Sequence, residues 1–388
     1  MKKRIIYISH WRFPSEKTMS PLIMKTCEGF IQEGFSVELW IPRRPDPYFE
    51  GVDPFLKYGI KERFPIRVLT SLALMGWLGK AGFLLMVAAF NVSVFLRLLR
   101  ERKSRKDTII YGHDLRDFII ASLLGFRLFV EIHDFYESSL RFINSFVLKR
   151  VSGLIVTNRL KRKAINERYG FPMENMIVQL NAVSFEMFDI PVSKNEAREK
   201  LSLPENAKIV LYTGHLFLWK GVYTLAESSV YIPENALIYF VGGTDKDREA
   251  LQAFVSRNNF RRIVFLPHEE HGIIPFFLKA ADVLVLPNTA KEAASKFETS
   301  PVKLFEYMAS GTPVVASDLP SIREIVSEKE VSFFTADDPK SLAVAISRIL
   351  RDPAEAYGRT FVAKEFAKKC SWASRARAIA DFIRQRFN

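Results

Sequence analysis

FETSPVKLFEYMASGTPVVASD, residues 297–318, holds an anion site, a helix with a marked start and stop, and a following strand. Ser300 is a favoured helix N-cap, and Pro301 stands where proline is best tolerated, at the first helical position. Gly311 supplies a left-handed stop, and Pro313 bars continuation. Between them Val302, Phe305, Met308 and Ala309 recur at helical spacing, leaving Lys303 and Glu306 on another face. VVAS, residues 314–317, reads as a buried strand.

That reading constrains the chemistry. Glu298 and Glu306 stand eight residues apart, yet Pro301 argues against one helix through both. Glu298 is therefore expected in the loop, with Glu306 one turn inside the helix. Backbone N–H groups from Ser300 to Lys303 lack intrahelical partners and face beyond the helix start, where a phosphate is the natural guest. The helix dipole contributes about 1 to 2 kcal/mol in a sheltered site. Carboxylates flanking that anion accept hydrogen bonds from sugar hydroxyls. For a capped helix taken alone, a surface helix with solvated charges explains the pattern equally well.

The E-x7-E spacing, followed by Gly-x-Pro-hydrophobic-Val, resembles the donor motif of the family-4 retaining glycosyltransferases, which have the GT-B fold. The resemblance implies that Glu298 contacts hydroxyls of the donor sugar and Glu306 the nucleotide ribose. It places the donor against Ser300, Pro301, Val302, Lys303 and Leu304, with Lys303 sharing the Glu298 contact. Many members carry Phe-Gly or Gly-Phe-Gly beside the first Glu; here Thr299-Ser300-Pro301 follows it, and SPVKLFEYMASG resembles one branch of the family.

Length and composition agree with more than one domain. A chain of 388 residues suggests two or three, and shares of 48% apolar and 26% charged residues are those of ordinary globular proteins. Cys27 and Cys370 match no metal or redox spacing, so a reducing, cytoplasmic setting is the simpler reading. MKKRIIYISH has too short an apolar run for a signal peptide and reads as a first strand.

A net charge of +13 asks for an anionic partner. Nucleic acid is not expected, since no aromatic-interleaved basic run, zinc spacing or helix-turn-helix pattern stands out. The basic residues gather beside one apolar segment, 71–99, which runs into RERKSRKD at 100–107. Its longest uncharged run, Ala81 to Leu96, is shorter than the roughly 20 residues a spanning helix needs. Three readings stand open for 71–107: a buried helix pair, an interfacial helix docking on an anionic membrane surface, or a true span. The second makes the protein peripheral on the cytoplasmic membrane face.

Strand candidates alternate with helices in two sets, the pattern of parallel α/β sheets. The first holds RIIYIS (4–9), VELWI (37–41), TIIY (108–111), LFVEI (128–132), GLIVT (153–157) and MIVQL (176–180). The second holds KIVLYT (208–213), LIYFV (237–241), IVFL (263–266), VLVLP (283–287) and VVAS (314–317). The expected architecture is GT-B: two Rossmann-like, doubly wound α/β domains facing an interdomain cleft. The N-terminal, acceptor-side domain spans 1–188, with helix 371–388 crossing back to it, and the donor domain spans 189–370.

Loops at the strand ends carry the remaining candidates. In TGHLFLWKG, 213–221, Gly214 allows a sharp turn and Lys220 supplies a mobile cation for a diphosphate leaving group. In the resembling family an Arg and a Lys clamp the pyrophosphate here; Lys220 matches, and His215 takes the Arg position. VGGTDKD at 241–247 places Gly243 near the nucleotide, though it is no dinucleotide fingerprint. FLPHEEHG at 265–272 resembles the segment lining the base pocket, which assigns Leu266, and His268 with His271 is not a metal site.

EIHDFYE (131–137) and YGHDLRD (111–117) each put a histidine just past a strand end. The HD step at His133 resembles the family's active-site histidine, implying a donor-sugar contact with acid or base duty left open; His113 is the lesser candidate. Asp134 either orients the His133 ring or caps the next helix. In the loop HWRFPSEKTMSP (10–21), Arg12 and Lys17 either meet an acceptor phosphate or are solvated charges.

These readings converge on an enzyme that moves a sugar from a nucleotide-diphosphate donor to a glycan or lipid-linked acceptor with retention. His133, Lys220 and Glu298 are its catalytic candidates, and no metal or other cofactor is expected. The alternatives are a nucleotide-sugar epimerase of related architecture and a non-enzymatic basic nucleic-acid or membrane-binding module.

Overall fold

The computed structural model describes residues 3–15, 17–44, 47–72, 75–133 and 141–386. The chain forms two units, Met1–Gln179 with Trp372–Asn388, and Leu180–Ser371.

The first unit is built on seven parallel strands in the order β3-β2-β1-β4-β5-β6-β7. They are β1 (Arg4–Ile8), β2 (Ser36–Pro42), β3 (Ile66–Leu69), β4 (Thr108–Gly112), β5 (Arg127–Ile132), β6 (Gly153–Val156) and β7 (Met176–Val178). Ile5 pairs with Val37 on one side and Ile109 on the other, so β1 is central. Because successive side chains point to opposite faces, each strand feeds two cores. Ile6, Trp40, Ile110 and Leu128 fill one face with Phe90, Val94 and Leu98. Ile5, Leu39, Ile109 and Phe129 fill the other with Met24 and Phe30 from helix Met19–Gln32.

The second unit repeats the plan with six parallel strands ordered β10-β9-β8-β11-β12-β13. These are β8 (Lys208–Thr213), β9 (Ala236–Val241), β10 (Ile263–Leu266), β11 (Val283–Leu286), β12 (Val314–Ser317) and β13 (Ser332–Phe334). In both sheets the order reverses beside the first strand, and that switch point is where such sheets hold ligands, beyond the strand carboxyl ends.

Eleven strands lie where the apolar runs place them; β3 and β13 are additional. IRVL and SFF are short edge strands that are largely half-exposed, so no buried run announces them. The division falls between Gln179 and Leu180, ahead of the expected 188/189. Val183 N donates to Cys370 O at 2.9 Å, and Phe185 and Phe188 pack with Phe305 in the second unit's core.

Met75–Arg100 consists of two helical stretches joined across a kink at Gly79 (φ 50°, ψ −122°). From Gly79 onward it is long and apolar enough to cross a membrane by length and composition. Its inner face is nonetheless core, with Met86, Phe90, Val94 and Leu98 fully buried. The outer face is exposed.

The terminal helix, Trp372–Gln385, belongs to the first unit, where Ile379, Phe382 and Ile383 cover the sheet. It also carries a charge into the core. Buried Arg375 donates to Glu131, which accepts from Tyr111 Oη at 2.7 Å as well. Burial alone raises the Glu131 carboxyl; Arg375, His133 and His113 together outweigh it and hold the group well below the usual carboxylate range. The folded value being depressed, this stabilisation is present above about pH 4.3 and lost as pH falls through the folded value.

Removing one partner of a buried pair costs about 3 to 5 kcal/mol, because an uncompensated charge remains. Arg375→Met should destabilise the first unit by about that amount at pH 8, measured by urea unfolding. The deficit should shrink at acid pH as the orphaned Glu131 takes up a proton. Glu131→Gln on top of Arg375→Met should recover much of it. An Arg375→Met chain as stable as the parent at pH 8 would contradict this account.

Candidate active site

Helix Val302–Ser310 follows the Glu298 segment in the second unit. It starts one residue later than expected: Pro301, extended at ψ 119°, is the N-cap and makes no side-chain cap bond. Ser300 is not the cap because it serves Asn181, whose backbone N–H donates to Ser300 Oγ at 3.2 Å and whose amide donates to Ser300 O at 2.6 Å. Gly311 closes the helix in the left-handed conformation, as its position required. Leu304 and Tyr307 join Phe305 and Met308 in the core, while Val302 is only half-buried. Among the described residues the N–H groups of Val302 and Lys303 find no acceptor, which leaves the helix start open to an anion.

Charge gathers at this opening. Lys303 Nζ lies 3.8 Å over the Tyr212 ring at the end of β8, and a Cβ added to Gly214 would fall 2.7 Å from it. Desolvation, then Lys220, pushes the Lys303 ammonium well below its ordinary value. Lys220 itself sits 3.7 Å over the Trp219 ring. His215 stacks on Phe217 at 4.8 Å between centroids, and its Nδ1 has no partner among the described residues. Desolvation followed by Lys303 and Lys220 lowers its pKa, so the ring is neutral at pH 7. Gly214, His215, Lys220 and Lys303 are thus brought together.

Neighbouring strand ends complete the rim. Gly242 packs against the Gly214 backbone and donates to Leu266 O at 3.2 Å, which sets Gly243 and Leu266 beside the β8 loop. Glu306, one turn inside its helix, meets His271 Nε2 at 3.2 Å; against desolvation, that bond raises His271. Glu298 departs from the loop expected for it. It ends a five-residue π-helical turn, Ala294–Glu298, and is buried.

In the first unit His133 follows β5 and donates from Nε2 to Glu131 Oε1 at 2.5 Å, while its Nδ1 has no partner among the described residues. His113, past β4, is bonded through Nδ1 to Tyr7 Oη at 2.6 Å and edges onto the His133 ring. Desolvation and His133 lower His113 to about 3, so it is neutral. Asp134 lies outside the described residues. Arg12 is half-buried and Lys17 exposed on the loop after β1.

Four contributors escape a motif search. Tyr307 Oη accepts from Thr213 N at 2.9 Å and so fastens the helix to the end of β8. Lys161, fully buried, donates to the carbonyls of Ile132 and His133 and fixes the backbone at His133. Glu131 and His271 orient His133 and Glu306.

Gly221 holds φ 70°, and an added Cβ would lie 1.7 Å from Pro287 O; Gly34, at φ 88°, would meet nothing within 4 Å. Gly221→Ala should therefore cost more than about 1 kcal/mol in thermal unfolding, and clearly more than Gly34→Ala. Equal losses would contradict the close approach.

Residues 193–374 match the family described as Glycosyl transferases group 1. A D-inositol 3-phosphate glycosyltransferase from Xylanimonas cellulosilytica is 25% identical over 62% of this chain and 58% of its own length. The Escherichia coli UDP-Gal:alpha-D-GlcNAc-diphosphoundecaprenol alpha-1,3-galactosyltransferase is 27% identical over 68% of this chain and 71% of its own. The alignments span 58% and 51% of the first two curated relatives. Among solved structures, Anabaena HepE in complex with UDP aligns at TM-score 0.76 and 17% identity over 98% of this chain and 100% of that one. Sucrose-phosphate synthase from Thermosynechococcus elongatus aligns at 0.79 and 21%, over 100% and 99%. The chain therefore has the GT-B fold, and most of its second unit resembles the Glycosyl transferases group 1 family.

Proposed function

We propose that the chain is a glycosyltransferase moving a sugar from a nucleotide-diphosphate donor to a glycan or lipid-linked acceptor, with retention, at the cytoplasmic membrane face. The observation that carries this is the open start of helix Val302–Ser310 beside the side-chain amines of Lys220 and Lys303. Retention rests on the E-x7-E resemblance. The HepE complexes with UDP and UDP-glucose make uridine sugars the first donors to test.

In this reading the departing diphosphate takes hydrogen bonds from Val302 and Lys303 N–H and charge from the two lysines. Neutral His215 donates at most one hydrogen bond, so Lys303 supplies the positive charge that an Arg at position 215 would bring. Glu306 takes the ribose and Glu298 the sugar hydroxyls. Glu131 holds the His133 ring, which contacts the transferred sugar. The scheme calls for no metal, because the cations and helix dipole meet the leaving group's charge.

Removing one preorganised stabiliser of developing charge costs about 2.7 to 4 kcal/mol, or 10²–10³ in kcat. Lys220→Met and Lys303→Met should each lower transfer by about that factor, with circular dichroism unchanged. His215→Ala should cost only about 3- to 10-fold, the worth of one neutral hydrogen bond. A larger loss in His215→Ala than in Lys303→Met would overturn the assignment of the second cation. Transfer should persist in excess chelator, and the product's anomeric NMR coupling should match the donor's; strict metal dependence or inversion would refute those two points.

A further inference from the structure

The outer face of helix Met75–Arg100 is apolar, exposed and flanked by cations. Leu84 (56% exposed), Leu85 (45%), Val92 (48%), Leu96 (54%) and Leu99 (39%) point away from the core. At helical spacing they occupy about a third of the circumference, with only Ala81, Ala88 and Phe95 between them and no charge. Exposed Val68, on the edge strand β3, and Leu72, three residues beyond its end, widen the patch. At the helix end Arg100, Arg102, Lys103, Arg105 and Lys106 are all exposed. Glu101 is held by Arg4 at 3.0 Å, which leaves Asp107 as the exposed acid of residues 100–107.

We infer that this face docks on an anionic lipid bilayer, with the helix lying in the interfacial plane. Apolar side chains reach the acyl boundary while the basic run meets the headgroups, a pairing of burial and charge that an anionic membrane satisfies at once. A second copy would bring the same net charge of +13, which offers no complement to the basic run. The helix does not span, since turning it across a bilayer would strip Phe90, Val94 and Leu98 from the sheet. The inference is independent of the donor chemistry, because none of these residues belongs to the proposed donor site.

The test is co-flotation of the purified chain with phosphatidylcholine vesicles, with or without phosphatidylglycerol, at about 0.1 M and about 1 M salt, which shortens electrostatic reach from about 10 Å to about 3 Å. Flotation is expected with anionic vesicles only, and weaker at high salt. Leu85→Gln with Val92→Gln and Leu96→Gln should lower it at least tenfold while circular dichroism and donor thermal shift stay unchanged. Arg100→Gln with Arg102→Gln, Lys103→Gln and Lys106→Gln, which leaves the apolar face intact, should abolish the salt dependence. No flotation of the parent, equal flotation of the leucine variant, or carbonate-resistant insertion would each overturn the inference. So would a parent dimer that the leucine variant dissociates without any lipid binding.

Discussion

Two ammonium groups at the desolvated end of one strand are a standing electrostatic expense, and the second unit's site follows from it. Lys220 and Lys303 repel, and burial lowers Lys303 further. Aromatic faces of Trp219 and Tyr212 hold them in place, each contact contributing about 0.5 to 2 kcal/mol. An anion at the helix start relieves the repulsion and satisfies N–H groups that the fold leaves open. Tyr307 makes the arrangement rigid by tying the helix to Thr213, so the donors need no reorganisation when charge arrives.

The first unit solves a different problem with similar means. Its His133 is held by a buried carboxylate whose counter-charge comes from helix Trp372–Gln385. Glu131 thus does two things: it orients His133, and it makes the terminal helix part of the first unit's core. Lys161 fixes the same stretch from a third element through backbone carbonyls. Packing and site are therefore coupled, and loss of the terminal helix's charge reaches His133 through one side chain.

Much of this was legible in the residues. β-branched runs such as RIIYI and VLVL announce buried parallel strands, and Gly311 before Pro313 announces a helix stop. Local rules failed where a distant partner decided. Ser300 has every local qualification for an N-cap, yet Asn181, a partner 119 residues away, occupies it. Glu131 reads as one polar letter in an apolar strand because Arg375 is 244 residues away. Edge strands β3 and β13 bury too little to leave a pattern. The segment 71–107 was ambiguous for a physical reason: an inner face in a core and an outer apolar face give one continuous hydrophobic run, and only three-dimensional burial separates them.

The most direct measurement of the central claim is a crystal structure of the chain soaked with UDP. The account predicts the β-phosphate within hydrogen-bond distance, about 3 Å, of the Val302 and Lys303 backbone nitrogens, with both lysine ammonium groups turned to its oxygens. A diphosphate bound away from that helix start, or lysines that leave it unaccompanied, would contradict the claim.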